Sequence, residues 1–205
     1  MNVFIKTLKI YFLILVTSGH LSTDVIESLA ARIRAKWGYG HSPCVPEITS
    51  AASLAHHGLL RSVERMSLWD VDLSSVPAEH LASLANCVTG VVGIGNVSNT
   101  DLISFLDRSK SEWLHISNES LSTAETQALV RAMANVARVF LGSGGEVTLD
   151  MSTLVTYDGQ GRCDNLYFWY NTYDKYREDV QRWLAERSSW NVNTADDYCD
   201  ITFIE

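Results

Sequence analysis

Few residues in this sequence combine the types and spacing that catalysis or metal binding requires. The glycine-rich segment "GSGGE", Gly142 to Glu146, follows a predicted strand. It lacks the Lys-Ser/Thr pair of a P-loop and the spacing of a dinucleotide fingerprint, so we interpret it as a turn. His56 and His57 are adjacent in a predicted helix, where neighbouring side chains point to different sides and make a poor metal pair. We therefore predict a protein that is not an enzyme, with no catalytic residue, no metal and no cofactor.

The four cysteines offer a second kind of chemistry, because an even number allows three pairings if all are oxidised. No C-x-x-C occurs, so a zinc ribbon is not indicated. Cys87, late in an apolar-faced predicted helix, is expected to be a small buried residue. Cys163 and Cys199 each stand shortly before a predicted strand. If the terminal strand lies beside the fifth predicted strand, the two cysteines enter neighbouring strands from the same end. We therefore predict a possible Cys163–Cys199 disulfide, conditional on secretion.

The N-terminus and two sequons bear on where the chain is found. Two lysines precede the apolar run "IYFLILV" (Ile10–Val16), which is followed by small residues. This pattern is typical of a secretory signal peptide over residues 1–19. The alternative is an apolar N-terminal helix or strand that caps the domain. Asn96 and Asn118 begin N-x-S triplets and are possible glycosylation sites. We expect a secreted protein, with a cytoplasmic one as the alternative.

Composition narrows the class of protein and of partner. Of the 205 residues, 46% are hydrophobic and 20% charged, which is typical of a folded globular chain. The formal charge is −8, and no dense Lys/Arg patch offsets it, so nucleic acid is excluded as the expected partner. The apolar run near the N-terminus is shorter than the ~20 residues of a membrane span, so no span is predicted.

A recurring local pattern indicates which elements position these residues. In "WLHISNESL", Leu114 and Ile116 alternate with polar residues as in a strand with one buried face. A polar corner and the single Leu121 follow, and then a predicted helix begins near Ser122. A similar stretch begins at Met66. The corner is expected to turn the chain out of a sheet, and Leu121 to return to the core before the helix.

The first strand residue recurs at positions 66, 92, 114, 139 and 166, with spacings of 22 to 27 residues. Self-similarity at this period is typical of a solenoid. A single strand–corner–helix unit cannot cover its apolar side, so stacked units share a core and their strands form a parallel sheet. After the last repeat, the sequence predicts a charged amphipathic helix and a final strand in which Ile201 and Phe203 point inward.

These motifs resemble the leucine-rich repeat of the ribonuclease-inhibitor type, which also forms the C-terminal arrays of nucleotide-binding immune receptors. The resemblance covers about residues 50 to 175 and rests on the L-x-L strand, the corner leucine and the helix. It implies a short, irregular α/β solenoid with parallel strands on one side and helices on the other. The family places a buried Asn or Cys where this chain has Val71, Val97 and Glu119.

The repeats and their flanks predict four segments. Residues 1–19 form the possible signal peptide, residues 20–60 an N-terminal helical cap, residues 61–190 the leucine-rich-repeat-like array, and residues 191–205 a C-terminal cap strand.

The outward strand positions carry the candidate binding residues. If Met66 and Leu68 point inward, the alternation places a set of aromatic residues and one histidine on the open face of the sheet. These are Trp69, Trp113, His115, Phe140, Tyr167 and Trp169. Two alternatives are that the N-terminal segment folds over this face, or that a slip of one residue makes the aromatics core.

Aromatic residues anchor protein interfaces. We therefore predict a non-catalytic module that recognises a protein partner through the open face of its repeat sheet. The alternative is a truncated C-terminal repeat fragment of a larger receptor, with a mainly structural role.

Overall fold

The protein is described by a computed structural model that covers most of the chain after residue 44. The residues described are 45–60, 62–69, 71–97, 99–117, 120–142, 146–187, 190–195 and 198–203. The predicted signal segment, residues 20–44 of the predicted N-terminal cap (Cys44 among them) and Asn118 lie outside the described residues.

Helices and strands alternate along most of the described chain. The helices are α1 (Val45–His56), α2 (Ala78–Cys87), α3 (Asn99–Leu106), α4 (Thr123–Met133), α5 (Met151–Leu154) and α6 (Tyr170–Ala185). The strands are β1 (Val63–Trp69), β2 (Val88–Gly95), β3 (Trp113–Ile116), β4 (Arg138–Leu141), β5 (Asn165–Trp169), β6 (Asn191–Ala195) and β7 (Tyr198–Thr202).

The strands form one open sheet in the order β1-β2-β3-β4-β5-β7-β6. Strands β1 to β5 pair in parallel, and a helix or a short helical segment lies in each connection between them. The last two strands run antiparallel, β7 beside β5 and β6 beside β7. The chain therefore has an α/β fold with a mostly parallel seven-stranded sheet, as its alternating patterns predict.

The strand register matches the predicted inward positions. Met66 pairs with Val92, Val92 with Leu114, Leu114 with Val139, and Val139 with Leu166. A second column of side chains runs two residues further along each strand. Its members are Leu68, Ile94, Ile116, Leu141 and Phe168, and each is at most 1% exposed. The two columns form the sheet side of the core.

The polar corner after β3 leads back into the core through Leu121, which is 3% exposed. The Leu121 amide donates to the Thr148 carbonyl, and Ser120 and Thr148 form a parallel bridge. Adjacent corners are therefore tied to each other as the strands are. Leu73 is fully buried after β1, and Val71 and Val97 fill their corners with apolar side chains.

Successive helices pack against each other, α1 on α2, α2 on α3, α3 on α4, and α4 on α5. Helix α1 begins at Val45, so Pro46 falls in its first turn. Proline is tolerated in the first helical turn because the amide hydrogen that it lacks has no partner within the helix there.

The predicted single terminal strand is a hairpin, and this overturns the predicted disulfide. Because β7 runs antiparallel to β5, Cys199 lies opposite Phe168, five residues beyond Cys163. At ~3.3 Å per residue the two cysteines are separated by about 16 Å along the strands, beyond the ~7 Å limit for Cα atoms. Cys163 and Cys199 are free and buried, and burial raises the pKa of each thiol to about 12.

Candidate binding surface

The outward positions of β3, β4, β5 and β7 share one face of the sheet. The alternation along β3 and β4 buries one set of side chains and leaves the other half-buried. Six of these outward side chains form what we call the aromatic row: Trp113, His115, Phe140, Tyr167, Trp169 and Tyr198. Trp169 is the most exposed of them, at 38%. The other five are half-buried.

Ring contacts connect the row across four strands. Phe140 stacks on Trp113 of β3, with ring centroids 5.1 Å apart and planes 7° from parallel. It also stacks on His115, with a centroid distance of 4.7 Å. Tyr167 of β5 lies 5.3 Å from Phe140 and 5.4 Å from Tyr198 of β7. Trp169 extends the row at 5.3 Å from Tyr167.

The fold explains why these rings meet. Neighbouring strands lie ~4.8 Å apart, which is close to the distance at which offset aromatic rings attract each other. The registers His115↔Phe140 and Phe140↔Tyr167 place the rings directly opposite one another. Three of the rings therefore share one outward position on successive strands. Trp113 lies two residues before it on β3, Trp169 lies two residues after it on β5, and Tyr198 pairs with Trp169.

The polar groups beside the row are themselves paired. The Arg138 guanidinium lies over the Trp113 ring at 4.9 Å and 3.7 Å from a carboxylate oxygen of Asp164. On the next strand, Asn165 pairs with Arg138, and its side-chain amide donates to Asp200, which lies opposite Tyr167. The row is thus bordered by a cation and two carboxylates that are already held by other side chains.

His115 is the one titratable ring within the row apart from the two tyrosines. Its ring is half-buried, and burial lowers the pKa of His115. Its Nε2 atom is buried and has no hydrogen-bond partner. A neutral imidazole is therefore favoured at this position, because a charged ring would be poorly solvated.

The structure brings together five of the six predicted surface residues. Trp69 ends β1 opposite Gly95, two strands away from the row, and its side chain lies outside the described residues. The alternative of a one-residue slip is wrong, because the predicted inward column is buried. Gly93 pairs with His115 and provides no side chain on that side.

Sequence reasoning missed Tyr198. The sequence contains the pattern that would have identified it: Cys199 and Ile201 are apolar inward positions, and Tyr198 and Asp200 are the outward positions that alternate with them. The hairpin was not predicted, so the strand was expected to begin later, and its first outward residue was not counted.

Of the two predicted glycosylation positions, Asn96 is exposed just after β2, where its φ of 53° lies in the left-handed region that asparagine tolerates. Asn118 is not among the described residues.

Other candidate chemistry was also located. His56 and His57 do not point apart as expected, since their ring centroids lie 5.3 Å apart, and His80 of α2 lies 4.3 Å from His56. Burial, followed by the neighbouring His56, lowers the pKa of His80.

Within the described ranges, no group of three side chains is arranged to hold a metal ion. Gly142 follows β4 with φ 95°, a backbone conformation that favours glycine, and residues 143–145 of the glycine-rich segment lie outside the described residues.

No protein-family model matches the chain, and no curated protein matches it either. Across the part of the chain that the structure describes, no helix has the length and apolar character needed to cross a membrane.

Proposed function

We propose that the chain is a non-catalytic module that binds a protein partner through the open face of its sheet, with the aromatic row as the contact surface. The observation that supports this most is the continuity of the row. Six rings from four strands touch in sequence and keep part of their surface in solvent.

The row has the composition of a protein interface. Tryptophan and tyrosine are enriched among the residues that dominate binding energy, because they bury large areas at a small cost in conformational entropy. Cross-strand ring pairs also stabilise the sheet, by ~0.2–1 kcal/mol each. Stabilisation of the sheet does not require Trp169 to be 38% exposed at the end of the row. Trp169 is therefore the proposed main anchor of the contact.

We also propose that the sheet and helices form a short leucine-rich-repeat-like solenoid. The sequential order of β1 to β5 supports it, as does the pairing of the predicted positions 66, 92, 114, 139 and 166 with one another. Helices that pack in sequence order fit a second layer of such a solenoid. An open repeat sheet is an extended surface, which suits a protein ligand.

Selection of peptides from a random displayed library, with the full chain as bait, tests the binding proposal. The selected peptides are expected to lose at least about tenfold in affinity on Trp169→Ala or Tyr198→Ala. Gln127→Ala, at an exposed position of α4, is the matched control and should leave the affinity unchanged. Binders that are insensitive to both aromatic substitutions would contradict the proposal.

Secretion is the proposed location, on the sequence pattern of the first residues and the exposed sequon at Asn96. Expression in secretory cells should give a protein that lacks residues 1 to about 19 and whose mobility changes with an endoglycosidase. An Asn96→Gln variant should lose at least part of that mobility change. An intact N-terminus on cytosolic protein would refute this location.

A further inference from the structure

Three of the ring pairs in the aromatic row are stacked, so these rings turn their faces toward neighbouring rings. The planes of Trp113 and Phe140 are 7° from parallel, and those of Tyr167 and Tyr198 are 13° from parallel. His115 and Phe140 are stacked at 28°. Because stacking uses the ring faces between neighbouring strands, the surface toward solvent consists mainly of ring edges. Flat ligands such as nucleobases bind to open ring faces and find few of them here.

The distance between successive rings of the row favours one kind of secondary structure in the bound segment. Its steps from strand to strand measure 4.7 to 5.4 Å between ring centroids. One turn of an α-helix rises about 5.4 Å, so a helix that lies along the row places one side chain over each ring. An extended strand presents same-side residues every ~6.7 Å and loses register within two steps. The row therefore matches a helix that crosses the strands.

The length of the row sets the length of that helix. Three steps span roughly 15 Å, which corresponds to about ten helical residues. The contacting residues would recur about once per turn, at i, i+4, i+7 and i+11, which lie on one face of a helix.

Charge distinguishes among amphipathic helices. The chain carries a formal charge of −8. Beside the row, Arg138 is already held by Asp164 and Trp113, and Asp200 lies opposite Tyr167. A helix with basic residues flanking its apolar face would be attracted to this surface, and an acidic one would be repelled.

We propose that the partner segment is a basic amphipathic α-helix that lies along the aromatic row, across the strands. This inference rests on the proposed function and specifies its ligand.

A synthetic peptide of about 14 residues tests it, with leucines at i, i+4, i+7 and i+11 and lysines on the flanks. A second peptide of the same composition alternates leucine with polar residues, as a strand does. Fluorescence polarisation measures binding to the full chain, and circular dichroism measures helix formation. We expect the first peptide to bind at least about tenfold more tightly than the second and to gain helicity. We expect Trp169→Ala to weaken binding of the first peptide and Gln127→Ala to leave that binding unchanged.

A third peptide, with glutamate in place of lysine, should bind more weakly than the first at low salt, and this difference should shrink as salt is added. The thermal unfolding midpoint of each variant confirms that it is folded, and Tyr198→Phe provides a milder change within the row. Equal or tighter binding of the alternating peptide would overturn the helix and leave the proposed function standing. The proposed function itself would be contradicted by a different result: library-selected peptides whose affinity is unchanged by both Trp169→Ala and Tyr198→Ala.

Discussion

At the scale of single residues, β3 shows how neighbouring side chains differ in what they contribute. Ile116 is fully buried, whereas His115 beside it is half-buried and stacks on Phe140. Ile116→Ala empties a packed site and should lower the free energy of unfolding by ~2–5 kcal/mol. His115→Ala removes a ring contact and should lower it by ~0.5–1.5 kcal/mol, more than a residue facing water would.

Urea unfolding of both variants measures the difference. Equal costs for the two substitutions would contradict the assignment of Ile116 to the core side and His115 to the open face. Gln127→Ala, exposed on α4, serves as the control and should change the free energy of unfolding by less than about 0.5 kcal/mol.

His115 also predicts how stability depends on pH. Burial lowers the pKa of His115 in the folded protein below its ordinary value of 6.5. As pH falls through about 6.5, the unfolded chain takes up the proton first, so the free energy of unfolding decreases until the folded pKa is reached. His80 acts in the same direction. His115→Phe keeps a ring but removes the titration.

Unfolding midpoints measured between pH 5 and 8 should therefore vary less in His115→Phe than in the unchanged protein. His80→Gln tests the second contribution separately. An equally steep profile in His115→Phe would show that His115 does not titrate differently on folding.

At the scale of elements, the start of α4 depends on a pair of reciprocal contacts. The Ser122 hydroxyl accepts from the Glu125 amide, and Glu125 Oε2 accepts from the Ser122 amide at 2.7 Å. Glu125 is fully buried, and its other carboxylate oxygen has no partner. Ser122→Ala removes one donor to this carboxylate and the helix cap, and should cost ~0.5–2 kcal/mol of stability. Thermal or urea unfolding measures this cost. Ser122→Asp should also be less stable than the unchanged protein, because it places a second carboxylate beside Glu125.

The elements were predictable where pattern and burial agree. The inward columns of β1 to β5 follow from two-residue alternation, and the helix that begins after Ser122 follows from its capping residues. The direction of β7 was not predictable in this way, because alternation is the same whether a strand runs parallel or antiparallel. That direction decides whether Cys163 meets Cys199 and whether Tyr198 reaches Tyr167. The disulfide was therefore predicted wrongly, and the end of the aromatic row was missed.

At the scale of the whole molecule, the C-terminal hairpin closes one edge of the parallel sheet. Strand β7 pairs along the full length of β5 and buries Cys199 and Ile201 against it. Behind it, Trp190 lies 5.1 Å from Trp183 and 4.6 Å from Phe203 between ring centroids. The hairpin therefore covers the backbone edge of β5, and Trp190 beside it packs against Trp183 of α6 and Phe203.

Deletion of residues 186–205 would expose this edge. An unpaired strand of apolar sequence is a template for pairing with another chain, so the truncated protein should self-associate. It should also unfold at a lower temperature, because Leu166 and Phe168 lose their neighbours on β7. Light scattering coupled to size-exclusion chromatography measures the first effect, and circular dichroism on heating measures the second. Deletion of residues 204–205 alone is the control. A monomeric truncated protein with an unchanged unfolding temperature would show that β5 does not depend on the hairpin.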